Sequence, residues 1–210
     1  MFLVLDGIDG AGKGCQRIEI CKFLQNSKKS IKLNTIDFPN HSSIIYKKLI
    51  HPALHEEVKL DKSGWLLSFM LDQVLMGEEI KKAVKSKTQH FITDGYFTTT
   101  IAYQSMMNKY FTVPDMLQMA KIVDLPKPDL AIYIDVDPVE ALKRKRIEEG
   151  HDEGMDIFER SLKKQQILRN NFKKMVKDSI FCKWEIVNGN ASIDKVTQEI
   201  VKVLNKHKLF

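Results

Sequence analysis

Residues 2–16 read FLVLDGIDGAGKGCQ, and this stretch decides the fold of the chain. It opens with four apolar residues, which are too few for a helix and typical of a buried strand. A glycine-rich turn ending in Gly12-Lys13 follows, and after it apolar residues recur at helical spacing. A strand, Gly-x-x-x-x-Gly-Lys and a helix together predict a phosphate-binding P-loop, where backbone N–H groups and the helix N-terminus attract an anion. We expect Lys13 to reach the terminal phosphate oxygens.

The length and composition indicate a single globular domain that binds anions. The chain has 210 residues, of which 43% are hydrophobic and 29% charged, and its formal net charge is +6. A basic protein suits nucleotides as well as nucleic acids. The lysines, however, occur as scattered pairs, which is typical of a solvated surface rather than of a nucleic-acid-binding stripe. We therefore expect no nucleic-acid partner.

The cysteines and the N-terminus indicate a cytoplasmic protein. Cys15, Cys21 and Cys182 are an odd number without Cys-x-x-Cys spacing, which favours reduced thiols over a disulfide framework. The first residues already form the predicted strand and P-loop, which leaves no room for a signal peptide. No apolar run approaches the length needed to span a membrane. The sequence thus predicts a cytoplasmic protein without a membrane partner.

Strands alternate with helices along the whole chain. Strands are predicted at 2–6, 32–38, 90–94, 129–136 and 181–187, and the main helical patterns at 42–50, 61–85, 156–176 and 192–204. This alternation predicts an α/β protein of three layers, a P-loop NTPase fold with a five-stranded parallel sheet flanked by helices. Asp94 ends the third strand, at the edge where ligands bind and where P-loop proteins place an acidic residue near Mg²⁺.

Five motifs then follow one another in the chain. They are LDGIDGAGK at 5–13, Phe38-Pro39, SFMLDQ at 68–73, DGYFTTTIAYQ at 94–104 and YIDVDPVEALKR at 133–144. In this order and over nearly the whole length, the chain resembles the thymidylate kinases, within the P-loop nucleoside monophosphate kinases. The motifs at 94–104 and 133–144 are specific to this family, whereas the P-loop alone is not.

The resemblance implies transfer of the γ-phosphoryl group of ATP to a deoxynucleoside monophosphate, dTMP to dTDP, with Mg²⁺ as cofactor and a homodimer as the assembled form. It implies that Phe69 stacks on the base, that Tyr103 and Gln104 read sugar and base, and that a lid at about 143–156 closes over ATP. The implied catalytic residues are Lys13, Asp94, Arg144 and Arg146, with Asp94 also at the metal. The implied ATP-binding residues are Gly7, Asp9, Gly10, Ala11, Gly12, Lys13, Gly14 and Cys15. The implied acceptor-binding residues are Asp9, Phe38, Phe69, Gln73, Thr99, Thr100, Tyr103 and Gln104.

Three positions depart from the pattern of the family. Gly14 replaces the Ser or Thr whose hydroxyl ligates Mg²⁺, and the adjacent thiol of Cys15 suits softer metals. Gly95 stands where the family has an arginine that grips the acceptor phosphate, so we expect Gly95→Arg to tighten acceptor binding. Gln73 stands where many members have an arginine that contacts the thymine carbonyl. These departures leave open a kinase for another pyrimidine or modified nucleotide, or a catalytically weak nucleotide-binding homologue.

Overall fold

The computed structural model describes residues 1–27, 31–147 and 161–209, and within them the chain forms one five-stranded parallel sheet. The order of the strands across the sheet is β2-β3-β1-β4-β5. The strands are β1 (Phe2–Asp6), β2 (Lys32–Asp37), β3 (Gln89–Asp94), β4 (Leu130–Asp135) and β5 (Trp184–Asn188).

Helices connect successive strands. They are α1 (Lys13–Ser27), α2 (His51–Leu54), α3 (Lys62–Val74), α4 (Gly77–Lys85), α5 (Phe97–Thr100), α6 (Val113–Ile122), α7 (Pro138–Ile147), α8 (Leu162–Asp178) and α9 (Ile193–Lys206). Two π-helical turns, Tyr46–Ile50 before α2 and Ile101–Met107 after α5, complete the helical structure of the described residues.

The hydrophobic core surrounds the middle of the sheet. Every residue of β1 is buried, and β4 is buried from Leu130 to Ile134, because helices cover both faces there. At the edge, β2 shows no fully buried residue. In α1 and α9 the buried residues recur every four positions (Gln16, Ile20, Leu24 and Val196, Ile200, Leu204). Continuous apolar central strands are typical of parallel sheets, and the predicted α/β fold is confirmed.

The predicted bounds of the last strand and of the helices at 42–50 and 61–85 were wrong, and the helix at 42–50 continues to Leu54. The last strand begins at Trp184 and not at 181, because Phe181 has a φ of 73°, which the extended backbone of a strand cannot contain. The helix predicted at 61–85 is two helices, since the backbone turns at Leu75 and Met76 and α4 starts afresh at Gly77. Glycine has a low helix propensity, which favours a break there.

The predicted lid lies largely outside the described residues. Of the segment 143–156, only 143–147 are described, as the last turns of α7. The predicted helix at 156–176 is described from Leu162 onward as α8. Within the described part of the chain, no helix is both long and apolar enough to cross a membrane.

Candidate active site

The glycine-rich turn between β1 and α1 is held tightly against the rest of the protein. Gly10 and Gly12 have φ values of 78° and 85°, which residues with a side chain rarely adopt. A Cβ atom on Gly10 would lie 2.1 Å from the carbonyl oxygen of Ala141 in α7. The turn is closed by a hydrogen bond of 3.0 Å from the amide of Ala11 to the carbonyl oxygen of Ile8. The backbone geometry therefore requires glycine at position 10.

Lys13 folds back over this turn. Its Nζ donates to the carbonyl oxygens of Gly7 and Ile8, at 3.2 and 3.3 Å, and lies 3.8 Å from the Asp94 carboxylate. The ammonium group is thus positioned above the loop and beside the acidic end of β3. A cation, two backbone carbonyl groups and a carboxylate thus lie together at the carboxyl edge of the sheet.

Asp94 is the residue best placed to hold a divalent cation. Burial raises the pKa of its carboxyl group, while Lys13 and Arg17 oppose that shift. A Cβ atom on Gly14 would lie 3.6 Å from its Oδ2, so the position after Lys13 faces Asp94. Among the described residues no three His, Cys, Asp or Glu side chains cluster as a metal cage. One carboxylate completed by water and phosphate oxygens is the coordination that Mg²⁺ favours, so these residues fit that ion.

Asp6 supports the site from beneath, and the sequence analysis did not single it out. Its carboxylate is fully buried and accepts hydrogen bonds from the hydroxyls of Thr98 and Thr99, the latter at 2.6 Å. Burial raises its pKa to about 6, although both hydrogen bonds favour the charged form. Thr99 Oγ1 also accepts from the amide of Tyr96 at 3.3 Å. Asp6 therefore fixes the start of α5 against the end of β1.

The predicted acceptor residues lie together around one cleft of about 620 Å³, which also reaches the P-loop. Tyr103 donates from its hydroxyl to Asp9 Oδ2 at 3.1 Å, and Gln73 Nε2 donates to Thr100 Oγ1 at 3.0 Å. The cleft is lined by all the predicted acceptor residues, Asp9, Phe38, Phe69, Gln73, Thr99, Thr100, Tyr103 and Gln104. It is also lined by the predicted phosphate-binding residues Gly7, Gly10, Gly12, Lys13, Gly14 and Cys15 and by Asp94.

The two predicted lid arginines and Ala11 do not line the cleft. Arg144 is turned toward the loop after β5, where it donates to the Gly189 carbonyl oxygen at 3.0 Å and pairs with Glu140 at 3.1 Å. Arg146 is exposed, and Ala11 is buried beneath the loop. The neighbouring cation Lys145 does line the cleft. Helical periodicity alone could not tell which of the four consecutive basic residues at 143–146 faces the ligand.

Two further residues hold the cleft in shape. Gln165, at the start of α8, is buried and donates from Nε2 to Asp9 Oδ2 at 3.1 Å. Asp72 is buried in α3, accepts from the amide of Asn40 at 2.7 Å and accepts from the hydroxyl of Ser43. Burial raises the pKa of Asp72. A polar residue on a buried helix face was the available sequence signal for both.

Gly95 has a backbone that only glycine adopts easily. Its φ is 66°, and a Cβ atom there would lie 3.0 Å from Thr99 Oγ1 and 3.2 Å from the carbonyl oxygen of Phe38. A side chain at this position would press on the threonine that Asp6 holds. The expectation that an arginine could be added at Gly95 to improve binding does not agree with this geometry.

Comparison with known proteins agrees with the resemblance seen in the motifs. A sequence model of the family "Thymidylate kinase" matches residues 5–200. The thymidylate kinase of Thermosipho africanus is 28% identical over 214 residues, covering 99% of this chain and 98% of its own length. A probable thymidylate kinase of Pyrococcus horikoshii is 28% identical over 99% of this chain and 97% of its own. One from Methanosphaera stadtmanae is 30% identical over 84% of each. The P-loop and the predicted acceptor residues that line the cleft all lie within the matched residues 5–200, and the chain belongs to the thymidylate kinase family.

Proposed function

We propose that the protein transfers the γ-phosphoryl group of ATP to dTMP, forming dTDP and ADP. The observation that carries this proposal is that one cleft is lined both by the P-loop with Lys13 and by all the predicted acceptor residues. Membership of the thymidylate kinase family supports the same reaction. In it a phosphate oxygen of dTMP bonds to the γ-phosphorus, and the bond from that phosphorus to the β,γ-bridging oxygen breaks. The displaced electron pair remains on ADP.

The donor side of the reaction belongs to the P-loop. The backbone of Gly7 to Gly14 would surround the ATP phosphates, and Lys13 would move from the loop carbonyls to their oxygens. Phosphoryl transfer depends on positioning and on cationic stabilisation more than on covalent catalysis. A phosphate nucleophile is already ionised at neutral pH, so the site needs no general base. Lys13 stands where negative charge must be balanced as the leaving oxygen departs.

Asp94 would hold Mg²⁺, together with water and phosphate oxygens. When bound, that ion supplies charge neutralisation and alignment of the phosphates. The 3.8 Å separation between Lys13 and Asp94 supports two roles for this pair. With ATP bound, Lys13 would serve a phosphate oxygen and Asp94 would serve the ion.

The acceptor side would bind the nucleoside. Asp9 and Tyr103, already hydrogen-bonded to each other, would hold the sugar, and Phe69 would stack on the base. Gln73, Thr100 and Gln104 would face the polar edge of the base. Gly95 supplies no cation for the acceptor phosphate, whereas Lys145 lines the same cleft.

The larger assembly is also a proposal. We expect residues 1–210 to act as one kinase domain whose segment 143–156, with Arg144 and Arg146, closes over ATP. Exposed apolar side chains on and just after α3 (Leu67, Leu71, Val74 and Leu75) support a homodimer formed through this helix. The free thiols of Cys15, Cys21 and Cys182 support a reducing, cytoplasmic location. Sedimentation of the wild type and of Leu71→Glu tests the dimer, which the variant should weaken.

The reaction is tested with an assay of ADP release that supplies ATP, Mg²⁺ and one nucleoside monophosphate at a time. We expect dTMP to give the highest kcat/KM among dTMP, dUMP, dCMP, UMP, CMP, AMP and GMP. Lys13→Ala should lose at least about a hundredfold in kcat, since a charge-assisted contact to the transferring group is removed. Lys22→Ala, an exposed lysine on the same helix, is the matched control and should retain full activity. Wild-type turnover by Lys13→Ala, or preference for another acceptor, would contradict the proposal.

A further inference from the structure

A second cavity, of about 880 Å³, lies away from the P-loop. Its lining includes residues 124–127, which lead into β4, and Ser179, Phe181 and Cys182, which lead into β5. These segments lie at the amino ends of the strands, whereas the P-loop cleft lies at their carboxyl ends. The cavity is therefore separate from the proposed active site, and its volume is within the range of small-molecule sites, roughly 300–1,000 Å³.

The floor of this cavity is apolar and firmly packed. Leu125 and Phe181 line it and are only 6% and 7% exposed. The ring of Phe181 contacts Phe97 edge-on, with 5.3 Å between ring centroids. Because Phe181 is held from behind, the aromatic surface exists before any ligand arrives. A preformed floor lowers the entropic cost of binding a flat apolar group.

The walls of the cavity carry an excess of positive charge. Four lysines line it, Lys81, Lys85, Lys121 and Lys127, against one carboxylate, Asp124. That carboxylate pairs with Lys81 at 2.7 Å. No carboxylate in the described part of the chain lies within ion-pair distance of the other three lysines, and Lys127 Nζ lies 6.0 Å from the Phe181 ring centroid. Lys85, Lys121 and Lys127 therefore surround the aromatic floor without a direct ion pair, although Asp124 also attracts Lys85 at longer range.

The backbone of the cavity is unusual. Asp124, Ser179 and Phe181 all line it, and all have positive φ, of 50°, 48° and 73°. This conformation is uncommon for residues with a side chain and is rare for a bulky one such as Phe181. Such conformations concentrate at ligand sites, where surrounding packing maintains them. Asp124 and Ser179 follow the ends of α6 and α8, where left-handed residues are common, so of the three only Phe181 marks a shape that the surrounding packing maintains at a cost.

We propose that this cavity is a second binding site, which takes a small organic anion with a flat aromatic body. The ring would lie on Phe181 and Leu125, and a sulfonate, carboxylate or phosphate group would be bound by Lys121, Lys127 and Lys85. Cations over an aromatic floor favour a ligand that brings negative charge and ring together. The ligand would bind while the P-loop cleft is occupied, because the two openings are at opposite edges of the sheet.

The test is a fluorescence titration of the full chain with 8-anilinonaphthalene-1-sulfonate, an aromatic sulfonate. Saturating ADP and dTMP are present throughout, so that the P-loop cleft is filled without turnover. Wild type is compared with Lys121→Gln/Lys127→Gln. The matched control is Lys195→Gln/Lys202→Gln, which removes two exposed lysines from α9 and changes the net charge equally. All four lysines are exposed, so both variants should fold, and thermal unfolding checks this.

We expect saturable binding of one probe per chain. The affinity for the probe should fall at least about tenfold in the Lys121→Gln/Lys127→Gln variant and less than about twofold in the control, as loss of charge-assisted contacts predicts. The absence of saturable binding in the presence of ADP and dTMP would overturn the proposal. So would equal affinities in the two double variants. A dTMP kinase activity that failed its own test would leave this result unaffected, because no turnover is measured.

Discussion

Gly95→Ala should destabilise the protein by more than a single added methyl group ordinarily does. The φ of 66° places residue 95 in the left-handed region, which costs a non-glycine residue about 1–2 kcal/mol. The new Cβ atom would also lie 3.0 Å from Thr99 Oγ1. Moving Thr99 would weaken its hydrogen bond to Asp6, worth about 1 kcal/mol. Together these effects predict a loss of about 2–3 kcal/mol in the free energy of unfolding.

Urea unfolding of Gly95→Ala, compared with wild type and with Gly77→Ala, measures this loss. Gly77 opens α4 with an ordinary φ, and a Cβ atom there would meet only Pro126, at 3.9 Å. Gly77→Ala should therefore be neutral or stabilise by up to about 1 kcal/mol. Gly95→Arg should be destabilised like Gly95→Ala and should not bind dTMP more tightly. A change within about 0.5 kcal/mol for Gly95→Ala, or tighter dTMP binding by Gly95→Arg, would refute the reasoning.

Three other predictions follow from the site. Asp6 binds a proton more readily in the folded state (pKa about 6) than in the unfolded chain (pKa 3.8), so lowering the pH from 7 to 5 should stabilise the wild type. Relative to Asp6→Asn, the free energy of unfolding should rise by about 1 kcal/mol, as measured by urea unfolding at both pH values. Alkylation of Cys15, a largely exposed residue at the cleft, should inactivate the enzyme, and ADP should protect it. The reaction should speed up beyond pH 9, because partial desolvation against the cleft wall raises the pKa of the thiol. Equal inactivation of Cys15→Ser would contradict this. Gln165→Ala should raise the KM for dTMP about fivefold with little change in kcat, because Asp9 loses a hydrogen-bond donor worth about 1 kcal/mol. Steady-state kinetics measure both constants, and a fall in kcat with an unchanged KM would contradict this role.

The fold could be predicted from the sequence because its signals are local. Residues close together in the chain predict each element: an apolar run predicts β1, glycines predict the turn after it, and apolar spacing predicts α1. The position of Asp94 then followed from the rule that parallel strands share one binding edge, whereas the acceptor residues were implied by the resemblance to the family. The predicted start of β5 was wrong because it depends on the backbone angle of Phe181, and a positive φ cannot be predicted from a phenylalanine in the sequence.

The site was less predictable where long-range packing selects the residue. Arg144 carries the expected charge, yet Glu140 and the loop after β5 turn it away from the cleft. Gln165 could not be assigned from sequence because its partner, Asp9, is far away in the chain. Gly95 was visible as a missing arginine, but its backbone conformation was not.

The central place of β1 in the sheet has a consequence for biosynthesis. Phe2 pairs with Phe91 in β3 and Leu3 pairs with Leu130 in β4, so β1 leaves the ribosome before either of the strands with which it pairs. At ordinary synthesis rates, about 90 residues take roughly 5 to 20 s. During that interval an apolar strand with two unpaired edges is exposed, which makes it a natural binding segment for a holding chaperone. Nascent chains stalled before residue 94 should therefore aggregate more than those that have released β4.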